Sequence, residues 1–334
     1  MSQKILNDNN DIIINSRVRL ARNIYGFTFP EWASIDELAQ IKSISKKAIT
    51  ELGRSFRYKE LAGLKDHEKN LLVAGNILSS QFIDGDPGSR AFALGSKKVS
   101  IMINEEDHLR LSVQKEADDL QTCWNIIDNI DTKISENVEY AFSNENGFAT
   151  ACPSNVGTGM RASVMLHLPA LCLDDSISSL ITNLTDGHIT VRGLSGEGSV
   201  ALGHIFQISN LNTLGISEPE TLAYLKKVSQ TIIKKELLAR KNLLKREKLN
   251  LTDKVRRAIG ILEYACFISY EEALSYLSLI SLGQRLGLEK ETKELKNMST
   301  LSKQLSDSYL QKSTKAKDVD IVRAGKVRAI INNS

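Results

Sequence analysis

Cys152-Pro153-Ser154-Asn155-Val156-Gly157-Thr158-Gly159-Met160-Arg161 is the stretch on which the reading of this chain turns. Proline, serine, asparagine and two glycines in close succession spell a turn-rich loop, and the run at residues 162–168 just after it reads as a strand. Alone, a cysteine before proline is most often an inert buried thiol, and a glycine loop is most often just a turn. The neighbouring segments change that.

Three other segments set arginine beside glycine or carboxylates. Upstream, Asn15-Ser16-Arg17-Val18-Arg19 follows a predicted strand at residues 11–15. On an extended chain Arg17 and Arg19 point the same way and make a two-guanidinium face. Asn104-Glu105-Glu106-Asp107-His108-Leu109-Arg110 follows an apolar strand at 98–103 and is expected to open a long helix over 106–139, its carboxylates favoured at the positive helix end. Downstream, Arg192-Gly193-Leu194-Ser195-Gly196-Glu197-Gly198 reads as a strand at 188–192, introduced by the Asp186-Gly187 turn, running into a glycine loop. Singly, these are a solvated face, a helix terminus and a turn.

Around them the chain divides in two. Its 334 residues suit about two domains. A helix is predicted at 34–52, and strands and helices interleave without a regular βαβ beat, so the class is α+β rather than a doubly wound sheet. The last of five prolines is Pro219, and the chain beyond it is helical in pattern. Ser217 and Glu220 form a capping box, and Leu222, Leu225, Val228, Ile232 and Ile233 recur at helical spacing. Further helices are expected from Thr252 and Ser269. The expected domains are 1–225, mixed α and β, and 226–334, all helical.

Composition excludes more than it assigns. Lys+Arg 43 against Asp+Glu 40 leaves a formal +3, which does not point to nucleic acid. The basic run at 234–257 fits an amphipathic packing or dimer face better than a nucleic-acid surface. No apolar run approaches the ~20 residues of a membrane helix, and the start of the chain lacks a signal-peptide core. Four dispersed cysteines without a C-x-x-C pair, and five histidines without ligand spacing, argue against a metal site and suit a reducing cytoplasm. A Walker loop is absent, G-x-G-x-x-G is nowhere completed, and neither H-R-D nor D-F-G occurs, so a nucleotide would be held by another device.

Together, the four segments resemble one family: the guanidino phosphotransferases, or phosphagen kinases, which include creatine and arginine kinases. C-P-[ST]-N-x-G-T stands at residues 152–158, N-E-E-D-H-L-R at 104–110 and R-G-x-x-G-E at 192–197, and S-x-R-x-R appears at 16–19 with one residue fewer between serine and arginine. The layout is similar to that of the bacterial protein-arginine kinases: the helical domain that metabolite kinases carry before the first arginine motif is missing, and a helical C-terminal third replaces it. The resemblance implies a large, mainly antiparallel sheet flanked by helices, as in glutamine synthetase, plus a helical C-terminal domain.

It also implies ATP as phosphoryl donor, Mg²⁺ held largely by the nucleotide, and a clamp of Arg17, Arg19, Arg110, Arg161 and Arg192. Ser16, Val18, Asn76, Ala162, Ser163, Val164, Met165, Gly193, Leu194, Ser195 and Gly196 are expected along the same ATP site. Glu106 and Glu197 would align the acceptor nitrogen and take its proton, with Cys152 in support. Two departures stand out. Asn76 occupies a place where the family often has histidine, and Val319 replaces the first arginine of an R-D-x-x-R-A motif, leaving Asp320 and Arg323 as a degenerate phosphoarginine site. The implied partners are protein substrates with exposed arginines, a second copy of the chain, an activating adaptor, a heat-shock repressor and a Clp-type protease, in a cytoplasmic stress response. The alternatives are a kinase for free arginine or a related metabolite, a dead phosphoarginine-binding scaffold, and a nucleic-acid-binding regulator.

Overall fold

A computed structural model describes residues 11–96, 98–185, 188–193, 201–295, 297–313 and 318–332. The strands are β1 (Ile13–Arg22), β2 (Arg57–Glu60), β3 (Ala91–Leu94), β4 (Val99–Ile103), β5 (Leu109–Glu116), a short hairpin β6 (Phe142–Ser143) and β7 (Gly147–Phe148), then β8 (Met160–His167), β9 (Ile189–Gly193) and β10 (Ile205–Asn210). Eight of them hydrogen-bond in the order β2-β3-β4-β5-β1-β8-β10-β9. The pairs from β2 to β5, and β5 with β1, are antiparallel. The α+β expectation holds, and so does the large antiparallel sheet flanked by helices.

Contacts gather the chain into two compact units that interleave in sequence. One comprises Asn15–Val164 and Ser209–Lys226; the other Met1–Ile14, Met165–Ile208 and Lys227–Ser334. The boundary expected at 225/226 lies inside one long helix, described below.

In the first unit, helix α1 (Ile35–Glu51) starts at a complete capping box, with Ser34 and Glu37 each satisfying the other's backbone N–H. Helices α2 (Asp66–Ala74) and α3 (Ser80–Asp84) come next, and Leu61, Leu78, Phe82, Phe92 and Met102 close a core. Residues 106–139 depart from the expected single helix. Leu109, Leu111 and Val113 are buried in alternation, so 109–116 is a strand pairing on both edges, with β4 and β1. Only after a turn at Ala117 (φ 63°) does helix α4 (Leu120–Ser135) begin. Period two wins here over a charge-rich composition that looks helical.

The second unit contains α5 (Pro169–Leu173), α6 (Ile177–Thr185), most of α7 (Glu218–Tyr264), α8 (Tyr270–Arg285), α9 (Met298–Leu305), α10 (Asp307–Ser313) and α11 (Val319–Ile331). The Ser217–Glu220 capping box is formed. The expected helix from Thr252 is continuous with the one before it, interrupted only by a non-helical Glu247 (φ −133°). Ser269 caps α8 as expected. Leu274, Leu277, Ile280, Leu301 and Val327 centre the core.

Within it, the Ser278 hydroxyl bridges two imidazoles, His167 Nε2 and His204 Nδ1, each at 2.7 Å. Burial lowers both histidines, His167 well below its ordinary value and His204 to about 4. Both are therefore neutral when folded and regain ordinary basicity on unfolding. Below about pH 6.5 the unfolded chain binds more protons, so stability falls as pH drops towards 4. Urea midpoints measured from pH 7 to 4 should fall, and His204→Gln should remove on the order of 2 kcal/mol of that loss. An unchanged slope in the variant would show that His204 does not carry the effect.

Candidate active site

Alternation along β1 builds the site's floor. Val18 and Leu20 are fully buried on one face, whereas Arg17 and Arg19 stand half-buried on the other. Register carries that face onto β5: Arg17 lies opposite Gln114, Arg19 opposite Ser112, and Ala21 opposite Arg110. Arg17 Nε donates to Ser112 Oγ at 3.0 Å. Arg161 enters from β8 on the other flank of β1. Four guanidiniums thus gather on three adjacent strands.

Electrostatics reports their crowding. Burial, then Arg110, lowers Arg17 to about 10. Burial, then Arg17, Arg110 and Arg161, holds Arg19 well below its ordinary value, with Glu105 the opposing charge. Glu105, itself buried, accepts from Arg110 and from Ser79 Oγ. Arg19 Nε is buried without a hydrogen-bond acceptor among the described residues. Such a face suits a polyanion whose oxygens accept several forked donors.

The Glu105 end of this face is the tip of the β4–β5 hairpin. Residues 104–108 form the connection, with Asn104 left-handed (φ 59°) and its N–H donating to His108 O at 3.0 Å. The carboxylate segment therefore sits on a hairpin loop, not a helix start. Glu106 projects to solvent, accepts a hydrogen bond from Cys152 and is raised above the ordinary carboxylate range by partial burial and by Asp107. Asp107 points inward, where Oδ1 accepts from Asn23 Nδ2 (2.7 Å) and from the Ala151 N–H (2.8 Å). His108 N–H donates to Asn23 Oδ1 at 2.9 Å. Asn23 and Asp107 thereby brace the hairpin tip against the cysteine loop.

That loop owes its path to glycine. Gly157 has φ +111°, and a Cβ there would lie 2.1 Å from Thr213 O. Cys152 is half-buried, with Sγ 3.0 Å from Ser154 Oγ. Beyond Glu106 opens a cavity of about 620 Å³ lined by Glu31, Asp84, Asp86, Arg90, Glu105 and Glu106, among others. Arg90 is occupied with the carbonyls of Asn104, Gln81 and Phe82, so the free character of this cavity is acidic.

The remaining expected residues are scattered. Ser16 is interior, donating to Ala117 O (2.9 Å) and accepting from Asp119 N–H, and Val18 belongs to the core. Ala162, Ser163 and Val164 are buried along β8, with Met165 half-buried. Asn76 is exposed just after α2 with φ 55°, a backbone state asparagine tolerates. Arg192 and Gly193 end β9 in the other unit, while Leu194, Ser195, Gly196 and Glu197 lie outside the described residues. Arg323 is 1 % exposed; it donates to Leu305 O and Ile268 O (2.9 Å each) and pairs with Asp320 and Asp307. The Arg323 guanidinium is thus neutralised and packed at the expected degenerate phosphoarginine site, Asp320 and Arg323. Sequence reading overlooked Asn23, Asp107 and the pairing role of Glu105. Asp107 and Glu105 had a signal, standing inside the motif itself, and Asn23 had none.

Comparison with known proteins gives the family. Residues 40–239 match the model of the ATP:guanido phosphotransferase C-terminal catalytic domain, and residues 248–334 that of the protein-arginine kinase McsB C-terminal domain. A protein-arginine kinase of Clostridium kluyveri is 40% identical over 333 residues, 96% of this chain and 95% of its own. Those of Clostridium tetani (38%, 88% and 87%) and Geobacillus sp. strain WCH70 (41%, 84% and 78%) are also similar. Among solved structures, lombricine kinase superposes with a TM-score of 0.62 at 25% identity, over 69% of this chain and 67% of that one. The substrate-free duplicated taurocyamine kinase of Schistosoma mansoni shares the fold (TM-score 0.62, 24% identity, 79% of this chain and 40% of that one). With four guanidiniums converging beside a hairpin-borne carboxylate, and with relatives this similar over nearly its whole length, the chain belongs to the ATP:guanido phosphotransferase family, alongside the protein-arginine kinases.

Proposed function

We propose that the chain transfers the γ-phosphoryl group of ATP to a guanidinium nitrogen of arginine side chains in proteins. The observation that carries this reading is the four-arginine face with one buried counter-charge, joined through Glu105 to an acidic cavity at Glu106. The arginines suit a triphosphate, and the cavity suits a cationic acceptor. Mg²⁺, held by the nucleotide's own oxygens, would neutralise part of the remaining charge. Arg17, Arg19, Arg110 and Arg161 align the donor; in a loose phosphoryl-transfer transition state, alignment and charge neutralisation are most of what is needed. Glu106 receives the acceptor's proton as the N–P bond forms and ADP departs. Cys152 orients Glu106, so Cys152→Ser reduces activity without abolishing it.

By family resemblance, Arg192 completes the clamp and Glu197 is the second carboxylate. Glu197→Gln should keep ATP binding and lose transfer by about 10²–10⁴-fold, and near-normal turnover would remove Glu197 from catalysis. The helical part from residue 226 on is proposed as the dimer face and the docking part for an adaptor, a heat-shock repressor and a Clp-type protease, in the marking of cytoplasmic proteins under stress. The test of the activity is incubation with ATP and either a loosely folded protein or free arginine, read by mass for acid-labile N-phosphate. Phosphate on the protein is expected; phosphate on free arginine alone would turn the reading into a metabolite kinase.

A further inference from the structure

We propose that the exposed turn carrying Trp32 and Ile35 is the platform on which an unfolded polypeptide rests while its arginine enters the acidic cavity, and that it selects arginines with apolar neighbours. This rests on the acceptor class proposed above. Trp32 is 64 % and Ile35 84 % exposed, an indole and a branched aliphatic side chain left in water within four residues of each other. Singly such residues need no explanation, but these two adjoin a lined cavity. Pro30 and Glu31, which immediately precede Trp32, line its wall, and so does Leu38, one helical turn after Ile35 on the same side of α1. Pro30 and Leu38, apolar members of that wall, thus stand within three residues of the exposed pair.

The platform is also fixed in register with Glu106. His108, fully buried two residues beyond Glu106, accepts the Ile24 N–H at Nδ1 (2.9 Å), which leaves Nε2 to donate to Thr28 O (2.8 Å). Thr28 Oγ1 in turn donates to Glu37 of the α1 capping box at 3.0 Å. The Trp32 N–H donates to Phe29 O, and the two rings meet edge to face at 6.2 Å. One imidazole thus ties the carboxylate hairpin to the turn that presents the indole.

The chemistry divides the occupant into two parts. Glu31, Asp84, Asp86 and Glu106 attract a cation, whereas the indole and the isoleucine gain only by covering apolar surface. An unfolded segment offers both at once, because folding buries the apolar neighbours of a surface arginine.

The test uses two peptides with a single arginine each, flanked by leucine and phenylalanine in one and by glycine and serine in the other. Wild type should favour the first. The double variant Trp32→Ala, Ile35→Ser should lose about tenfold in kcat/KM on it, carried by KM, while changing less than about twofold on the second and in its KM for ATP. Equal handling of both peptides by wild type, or an equal loss on both in the variant, overturns the platform. If wild type phosphorylates neither, the acceptor class falls instead. The platform is then read from anisotropy of the dye-labelled apolar peptide, where weakened binding by the variant supports it and unchanged binding overturns it.

Discussion

Glu106→Gln should lower kcat by about 10²–10⁴-fold while moving the KM for ATP by no more than about threefold. A free arginine guanidinium gives up its proton only far above neutral pH, so a neutral acceptor at pH 7 costs roughly 9 kcal/mol. A carboxylate beside it favours the cation and makes prior deprotonation harder still. The proton must therefore leave as the N–P bond forms, into a base already aligned. Glu106 meets that requirement: it faces the acidic cavity, is oriented by Cys152 and is raised towards the operating pH by partial burial and Asp107. Glutamine keeps the shape and an oxygen for the Cys152 hydrogen bond but cannot take a proton. In wild type, kcat should therefore fall as pH drops through the raised Glu106 pKa, and that acid limb should disappear in Glu106→Gln. Single-turnover transfer measured across pH checks both, and near-normal turnover with the limb intact would exclude Glu106 as the base.

Much of this arrangement is legible in the residues themselves. Arg17 and Arg19 share a face because a strand repeats every two residues, and Gly157 stands where a backbone carbonyl leaves no room for a Cβ. Ser217 with Glu220, and Ser269 with Glu272, announce helix starts through local hydrogen bonds that need no tertiary partner. What escapes is set by partners distant in sequence. Residues 109–116 look helical from their charges until strands on both sides bury Leu109, Leu111 and Val113. Asp107 reads as surface charge until Asn23 and Ala151 are found pointing at it from 84 and 44 residues away. The burial of Arg323 escapes in the same way. A short motif with one residue changed suggests a weakened phosphate fork, yet Asp307 and two carbonyls outside the motif decide that its guanidinium is buried and neutralised.

The second large effect concerns Arg19, whose replacement by glutamine should strengthen the unliganded fold and remove most of its response to nucleotide. Burial and then three like charges disfavour the Arg19 cation, and Glu105, already paired with Arg110, is the opposing charge. Removing one guanidinium relieves that repulsion; a gain of about 1 kcal/mol would raise Tm by roughly 2–4 °C in a domain of this size. The charges that destabilise the empty fold are the ones a triphosphate neutralises. At ATP concentrations 100-fold above Kd, wild type should gain about 2.7 kcal/mol, whereas a variant bound 100-fold more weakly should gain only about 0.4 kcal/mol. Salt separates this account from a simple loss of packing. Screening of like charges should raise the Tm of unliganded wild type more than that of Arg19→Gln, because the variant has less repulsion to screen. Thermal unfolding with and without ATP, at low and high ionic strength, reads all three effects. A variant less stable than wild type when empty, with its nucleotide response intact, would mean that the arginine face is held together by packing rather than strained by charge.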